Sequence, residues 1–520
     1  MNTGMLSNSP IIRVGIVENY NCFDIKCSNK YSIYDNEGIA VARSINHPSI
    51  WKLKVDEKIA ALYSYSIVIA DFAELTHAQE MQYEYLEKGM GVRIVTYNDK
   101  IDIDNNVIKL NQQFSLIIDG FETRDLAKEF ISEHQDLSNA HIEENILKEP
   151  DAQFKIFDSY MEKIGELKKR IRFVPETEDT IFSLSFYNEL IHEREPEHKI
   201  ELKYPVEICV TNDTKLCIIV ELPLEQYIAE VLSPLKNLLP NETLRALSVI
   251  IRSKTLSAKC IKHKNDSFDV CATEHCEQYS GYHDENPVIQ EIIAETFGKV
   301  LYYNGRVLFA DHSDVCGGHT ESPQNIDYEI VGIPDMSTAD VVRTNDDEIQ
   351  NDLSVEEEFK NSYSNPQNTL CGNCQIPEMA AYHKYYRWEI SYSNSELEKL
   401  INNKLDIHIG TIYNLLPLNR GISGRILKLE IIAEHRNLIL EGENNICEFL
   451  SERRLPSSAF FISFTEDKDS IPYQFTFHGM GKGDGVGLCL LGSASLSNMG
   501  WDYKRILNHY FMDASIRKIY

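Results

Sequence analysis

Two stretches of apolar–polar alternation constrain the fold of this chain more than any other feature. The first runs over residues 11–34, as in Ile12-Arg13-Val14-Gly15-Ile16-Val17. The second resumes near Lys203, with Val206-Glu207-Ile208-Cys209-Val210 and then residues 216–220. Side chains of a strand point alternately to opposite faces, so a period of two argues for strands buried on one side. Further short strands are expected near residues 66–70, 92–97, 107–110 and 114–118, and helices at 75–87 and 123–133. Residues 133–201 are rich in Glu, Asp and Lys, and the spacing over 154–171 predicts a helix with a charged outer face. The expected class is α+β and β-rich, in three parts: a smaller β-rich N-terminal domain (1–133), a charged helical connector (134–202) and a larger mixed domain (203–520). A length of 520 residues suits two to four domains.

The formal net charge is −29. A surface that acidic repels nucleic-acid phosphates and anionic lipid, which excludes both as expected partners. No run approaches the roughly 20 apolar residues that cross a membrane. Residues 1–14 lack a basic segment followed by a long apolar stretch, so no secretory signal is expected there. By sequence the chain reads as cytoplasmic.

From residue 217 onward, six stretches appear in a fixed order. The strand 217–220 runs into Leu222-Pro223-Leu224-Glu225-Gln226-Tyr227-Ile228-Ala229. A helix pattern follows over 241–258, with Leu244-Arg245-Ala246 and Ile251-Arg252-Ser253. Next come Phe268-Asp269-Val270-Cys271-Ala272-Thr273-Glu274-His275-Cys276-Glu277-Gln278-Tyr279, then Ala294 to Leu301 with Tyr303-Asn304-Gly305-Arg306. His312-Ser313 leads to Cys316-Gly317-Gly318-His319-Thr320-Glu321. Last is the glycine-rich loop 479–492, followed by Tyr503 to Phe511. Taken together, residues 203–520 resemble the SpoIID/LytB family of bacterial cell-wall proteins (stage II sporulation protein D and the amidase enhancers). They are most similar to the branch carried by Bacteroidetes-type bacteria.

The resemblance implies a SpoIID-like β-rich core that acts on peptidoglycan glycan strands. The sporulation members are lytic transglycosylases, and the LytB members enhance an amidase partner. It also implies a glycan-contacting set of Arg252, Gln278, Tyr279, Ser313, Thr320 and Glu321, and a compartment in the cell envelope. Tyr282 and Tyr303, with Tyr279, offer rings on which sugars could stack.

Cleaving a glycosidic bond needs a carboxylic acid beside the leaving oxygen. The family's acid falls on Leu235, or on Pro234 with a one-residue gap, and neither carries a proton. Three further polar family positions hold Leu247, Asp484 and Leu490, and Lys482 replaces a tryptophan. Asp484 and Glu225 are the remaining catalytic candidates. Glu230 and Glu242 read as solvated carboxylates. The scaffold is kept while the reactive groups are replaced, so the preferred reading is a pseudoenzyme that binds glycan or a partner cell-wall hydrolase. The alternatives are an active transglycosylase rebuilt around Asp484 and a cytoplasmic interaction module.

Among the twelve cysteines, Cys22, Cys27, Cys209, Cys217, Cys260, Cys447 and Cys489 lie in apolar or strand-like surroundings and are expected as buried thiols. Cys271, His275 and Cys276 offer two thiols and an imidazole within six residues, a zinc-ligand pattern that needs one more donor. His263, His283 and His312 are the candidates for it. A Cys271–Cys276 disulfide and free thiols are the alternatives. Some members of the resembled family hold zinc here. Any such zinc would be structural, because four protein ligands leave no open position. Cys371-Gly372-Asn373-Cys374 is a second knuckle, which could join Cys271 and Cys276 in a four-thiolate set, form a redox pair, or be incidental.

Overall fold

The computed structural model describes residues 9–46, 49–103, 106–158, 162–187, 196–259, 261–326, 333–341, 352–365 and 369–520. The protein is a mixed α+β, β-rich, multidomain chain. Its first alternating run becomes the strand Ile11–Glu18, which buries Ile12, Val14 and Ile16. That strand pairs antiparallel with Leu216–Pro223, placing Val14 opposite Val220. On its other side it pairs in parallel with Val270–Cys271. The N-terminal strand therefore supports the segment carrying the first cysteine of the metal-ligand pattern.

Seven strands make this sheet, in the order Val270–Cys271, Ile11–Glu18, Leu216–Pro223, Val206–Val210, Ile171–Pro175, Tyr31–Tyr34, Ala40–Ile45. A six-stranded sheet runs Lys163–Lys168, Asp151–Phe157, Ser49–Ile59, Cys22–Cys27, Phe182–Tyr187, His198–Leu202. Ile12, Val14, Phe173 and Ile218 of the first sheet and Phe23, Phe154 and Phe182 of the second belong to one core. That core continues into helices Leu224–Leu232, Asn241–Ala258 and Pro287–Thr296, and on to Phe511.

The expected helical connector is strand instead. Asp151–Phe157 alternates, with Ala152, Phe154 and Ile156 buried, and Lys163–Lys168 and Ile171–Pro175 follow as strands. The alternating lysines and glutamates belong to a period of two, and the charge density of the stretch disguised it. Residues 134–202 supply strands to both large sheets, so the core crosses the expected boundaries near 133 and 203.

Two other cores mark different units. Residues 62–148 form a four-stranded sheet ordered Arg93–Ile103, Asn106–Phe121, Leu62–Phe72, His141–Lys148, with helices Leu75–Glu87 and Arg124–Glu133. Their own core includes Ile67, Tyr85, Leu116, Ala127 and Leu137. The order of elements is β-α-β-β-α-β. The expected helices lie here, and the expected strands at 107–110 and 114–118 merge into one. Residues 388–479 form the second unit, two three-stranded sheets around Trp388, Leu397, Ile431, Phe460 and Phe477. Among the described residues, no helix is long and apolar enough to cross a membrane.

Candidate functional site

The strand Leu216–Pro223 passes directly into helix Leu224–Leu232, so Glu225 enters the core in the first turn of that helix. Both Glu225 and Arg252 have side chains 0% exposed. Arg252 Nε donates to Glu225 Oε1 at 2.8 Å and Nη2 donates to Oε2 at 2.6 Å. Arg252 Nη1 also donates to the carbonyls of Ser248 and Lys299. The Tyr520 hydroxyl and the Gly298 amide complete the shell of Glu225. This bidentate pair joins two helices, a strand and the last residue. Glu225, a catalytic candidate, and Arg252, a glycan candidate, are thus engaged with each other inside the core.

Glu230 is also internal, contrary to its expected solvated position. It accepts from the Tyr279 hydroxyl at 2.6 Å and from Gln226 Nε2 at 3.1 Å. Burial raises its pKa to about 7, with the Tyr279 and Gln226 hydrogen bonds opposing the rise. The folded state keeps this proton where the unfolded chain loses it. Stability from Glu230 is therefore full below pH about 4.5 and is lost as pH climbs through about 7. Glu230→Gln should shrink the difference in unfolding free energy between about pH 5 and pH 8 by about 3 kcal/mol. Denaturant titrations of both proteins at the two pH values test this, and identical pH dependence would refute it. Glu242 stays at the surface, where it pairs with Arg245 and accepts from the Tyr503 amide.

Beside the helix Asn241–Ala258 lies a buried charge network the sequence did not flag. Lys254 Nζ contacts Asp311 Oδ1 at 2.8 Å and Glu277 Oε1 at 3.2 Å. His312 Nε2 meets Glu277 Oε2 at 3.0 Å. Burial opposes ionisation of Asp311, but Lys254 and His312 outweigh it and hold its pKa near about 2. The residue types gave no signal for this group, because its members lie on three separated segments.

The two glycine-rich stretches of the sequence are stitched together. Lys482 N donates to the Val315 carbonyl, Glu321 N to Gly485 and Leu488 N to Asp311. Gly481, Gly483, Gly485 and Gly487 all have positive φ, and a Cβ on Gly487 would overlap the Asp311 carbonyl. Burial, followed by the charge of Asp311, raises the Asp484 pKa to about 6. Its charged surroundings also include Glu443 and Arg425.

The 388–479 unit reaches back over these loops. Ser423 Oγ donates to Glu321 Oε2 at 2.5 Å, and Arg425 donates to the Gly483 carbonyl. Thr320, Glu321 and Ser313 are buried, as is Tyr279, so of the six expected glycan contacts only Gln278 is exposed. Leu247 and Leu490 lie in the core, Leu235 packs against it, and Lys482 pairs with Asp314.

The Cys-His cluster does assemble. His263, Cys271, His275 and Cys276 place one ligand atom each within 4.8 Å of one another. His263 Nε2 lies 3.3 Å from Cys276 Sγ, and His275 Nδ1 lies 3.6 Å from Cys271 Sγ and 3.9 Å from Cys276 Sγ. Donors around a tetrahedral zinc with bonds of about 2.0–2.3 Å stand roughly 3.3–3.8 Å apart. The donor set therefore fits a metal ion. Asp266 holds His263 Nδ1 at 2.8 Å, the outer hydrogen bond that orients a ligating imidazole. Of the three candidate fourth ligands, His263 is the one in place. His283 bonds Ser280 and His312 bonds Glu277.

The expected buried thiols Cys22, Cys27, Cys209, Cys217, Cys447 and Cys489 are all buried, and Cys260 lies outside the described residues. Cys371 does not join Cys271 and Cys276. It meets Cys316 and Cys489, and Cys374 stands apart from that group.

Residues 212–303 match the family described as stage II sporulation protein, SpoIID. Residues 344–487 match a domain of unknown function, DUF8618, a segment that includes both the 388–479 unit and much of the glycine-rich loop. An uncharacterized protein of Brachyspira hyodysenteriae is 25% identical over 308 residues, covering 59% of this chain and 69% of the relative.

Proposed function

The chain is a member of the stage II sporulation protein family through residues 212–303, and from that premise we propose that it is a cell-wall protein that binds glycan strands or a partner hydrolase without cleaving the strand. The observation that carries this reading is Leu235, an aliphatic side chain on the turn Ser233–Leu235 where the family's proton donor is expected. General acid catalysis needs a carboxyl within reach of the leaving oxygen. Glu225 is bound to Arg252, and Glu321 is bound to Ser423 and Asn325. Asp484 is buried under the influence of the Asp311 charge. The covering of Glu321 by Ser423 of the 388–479 unit, and of Thr320 by the segment around Thr338, supports the same reading. Zinc is the ion best suited to His263, Cys271, His275 and Cys276, and its role is to hold the knuckle shut. The reading requires the protein to work in the cell envelope.

One observation favours a second reading. Glu230 is a buried carboxyl with a pKa near about 7, the protonation state a general acid needs near neutral pH. In that reading Glu230, oriented by Tyr279, replaces the missing donor.

The test is turnover of peptide-stripped glycan strands, with products read by mass spectrometry for anhydro-muramyl ends and an active relative as control. The native chain is expected to release none while retaining strand or hydrolase binding. Leu235→Glu restores the missing acid, and any released product from that variant alone would locate the loss at this position. Product from the native chain that disappears in Glu230→Gln would overturn the first reading and establish the second.

A further inference from the structure

Four segments far apart in sequence bring Cys316, Asp340, Cys371 and Cys489 together in the interior. All four side chains are buried, and their ligand atoms lie within 4.8 Å of one another. Cys316 Sγ and Cys371 Sγ are 3.9 Å apart. That is about the sulfur–sulfur separation around one tetrahedral metal ion, and far beyond a disulfide bond of about 2.05 Å.

Thiols also gather in ordinary cores, so the surroundings decide what this group is. Backbone amides point at two of the three sulfurs. Cys316 N and Gly492 N each donate to Cys489 Sγ at 3.3 Å, and Gly318 N donates to Cys316 Sγ at 3.4 Å. Hydrogen bonds of this kind suit a sulfur that carries negative charge, as a metal-bound thiolate does. Asp340 is held equally firmly. The Tyr510 hydroxyl donates to Oδ1 at 2.7 Å, and the Cys371 amide donates to Oδ2 at 2.8 Å. Both donors are neutral, so the hydrogen bonds fix the carboxylate without balancing its charge. An ionised carboxylate there would be a buried charge without a partner, a cost that a cation in the middle of the group would remove. A Cβ on Gly492 would overlap both Asp340 Oδ1 and the Tyr510 hydroxyl. The backbone is thus shaped to admit the carboxylate.

We propose that Cys316, Asp340, Cys371 and Cys489 form a second metal centre, separate from the Cys271 knuckle, that takes a thiophilic divalent ion such as zinc. Three sulfurs and one oxygen make a closed four-coordinate set, which is structural chemistry. On binding, each protonated thiol releases its proton to solvent. The centre cross-links the loop after Ser313, the chain around Asp340 and Cys371, and the start of helix Leu490–Asn498. It thereby ties the segments flanking the 388–479 unit to the main core. The inference does not depend on the glycan reading, since it concerns metal content alone.

The experiment is metal content per chain, by mass spectrometry of the full-length protein purified anaerobically with reductant. Wild type is expected to carry two equivalents of zinc. Cys271→Ser and Cys489→Ser should each carry one, and the double variant none. A wild type with one equivalent that Cys489→Ser leaves intact would overturn the proposal. So would a Cys316–Cys371 disulfide in the non-reduced peptide map of the same preparation. Should Cys489→Ser fail to fold, cobalt loading of the other proteins decides. Wild type should show about 2.5-fold the sulfur-to-cobalt charge-transfer absorption expected of the knuckle alone, five cobalt–sulfur bonds against two. Absorption no greater than that of two bonds would refute the second centre.

Discussion

Arg252→Met should cost the protein about 3–5 kcal/mol of stability, the range for breaking a buried ion pair from one side. The guanidinium supplies two hydrogen bonds to Glu225 and two more to backbone carbonyls, and neither partner touches solvent. Removing it leaves a carboxylate in the core with only the Tyr520 hydroxyl and the Gly298 amide. Urea unfolding followed by circular dichroism measures the loss. The double variant Glu225→Gln/Arg252→Met should recover part of it, because neutralising both partners costs less than stranding one. A cost under about 1 kcal/mol for Arg252→Met would mean the pair is more hydrated than its burial indicates.

Stripping the metal proposed for the Cys271 knuckle is the other change with a large expected effect. Structural zinc sites contribute folding free energy directly, and small zinc modules unfold without the ion. Here the knuckle is anchored at one end, where Val270–Cys271 pairs with Ile11–Glu18, and at the other, where Tyr279 bonds Glu230. Loss of the ion should therefore open residues 261–279 locally, at several kcal/mol, while the seven-stranded sheet persists. Hydrogen exchange with and without a chelator reads this out. Exchange should accelerate in that segment by at least about 100-fold and stay unchanged in Leu216–Pro223. Cys271→Ser should reproduce the chelated pattern without chelator. Unchanged exchange in both cases would show that the knuckle stands without a metal.

The α+β class, the strands at both alternating runs and the two helices of the 62–148 unit were legible in the sequence, because hydrophobic period is a local property. The Cys271-His275-Cys276 pattern was legible for the same reason, with three donors on one short segment. The family motifs were legible too, as residue strings in order. Leu235, or Pro234 with a one-residue gap, falls where the resemblance expects the acid, and needed no coordinates to be noticed.

What the sequence could not determine was decided by contacts between distant segments. Ile11–Glu18 pairs with a strand about 200 residues away, and no local pattern records that choice. Residues 154–171 were misjudged because lysines and glutamates suit an exposed strand face as well as an exposed helix face. Burial of Phe154 in the shared core settled the matter. Glu230 reads as a surface charge until Tyr279, 49 residues on, closes over it. The partners of Cys371 are likewise a matter of tertiary structure, since Cys316 and Cys489 are 173 residues apart and both are 118 or fewer from it. Sequence determines which elements form and which chemical groups are carried. Burial in a common core, where unpaired polar groups are costly, decides which of those groups meet.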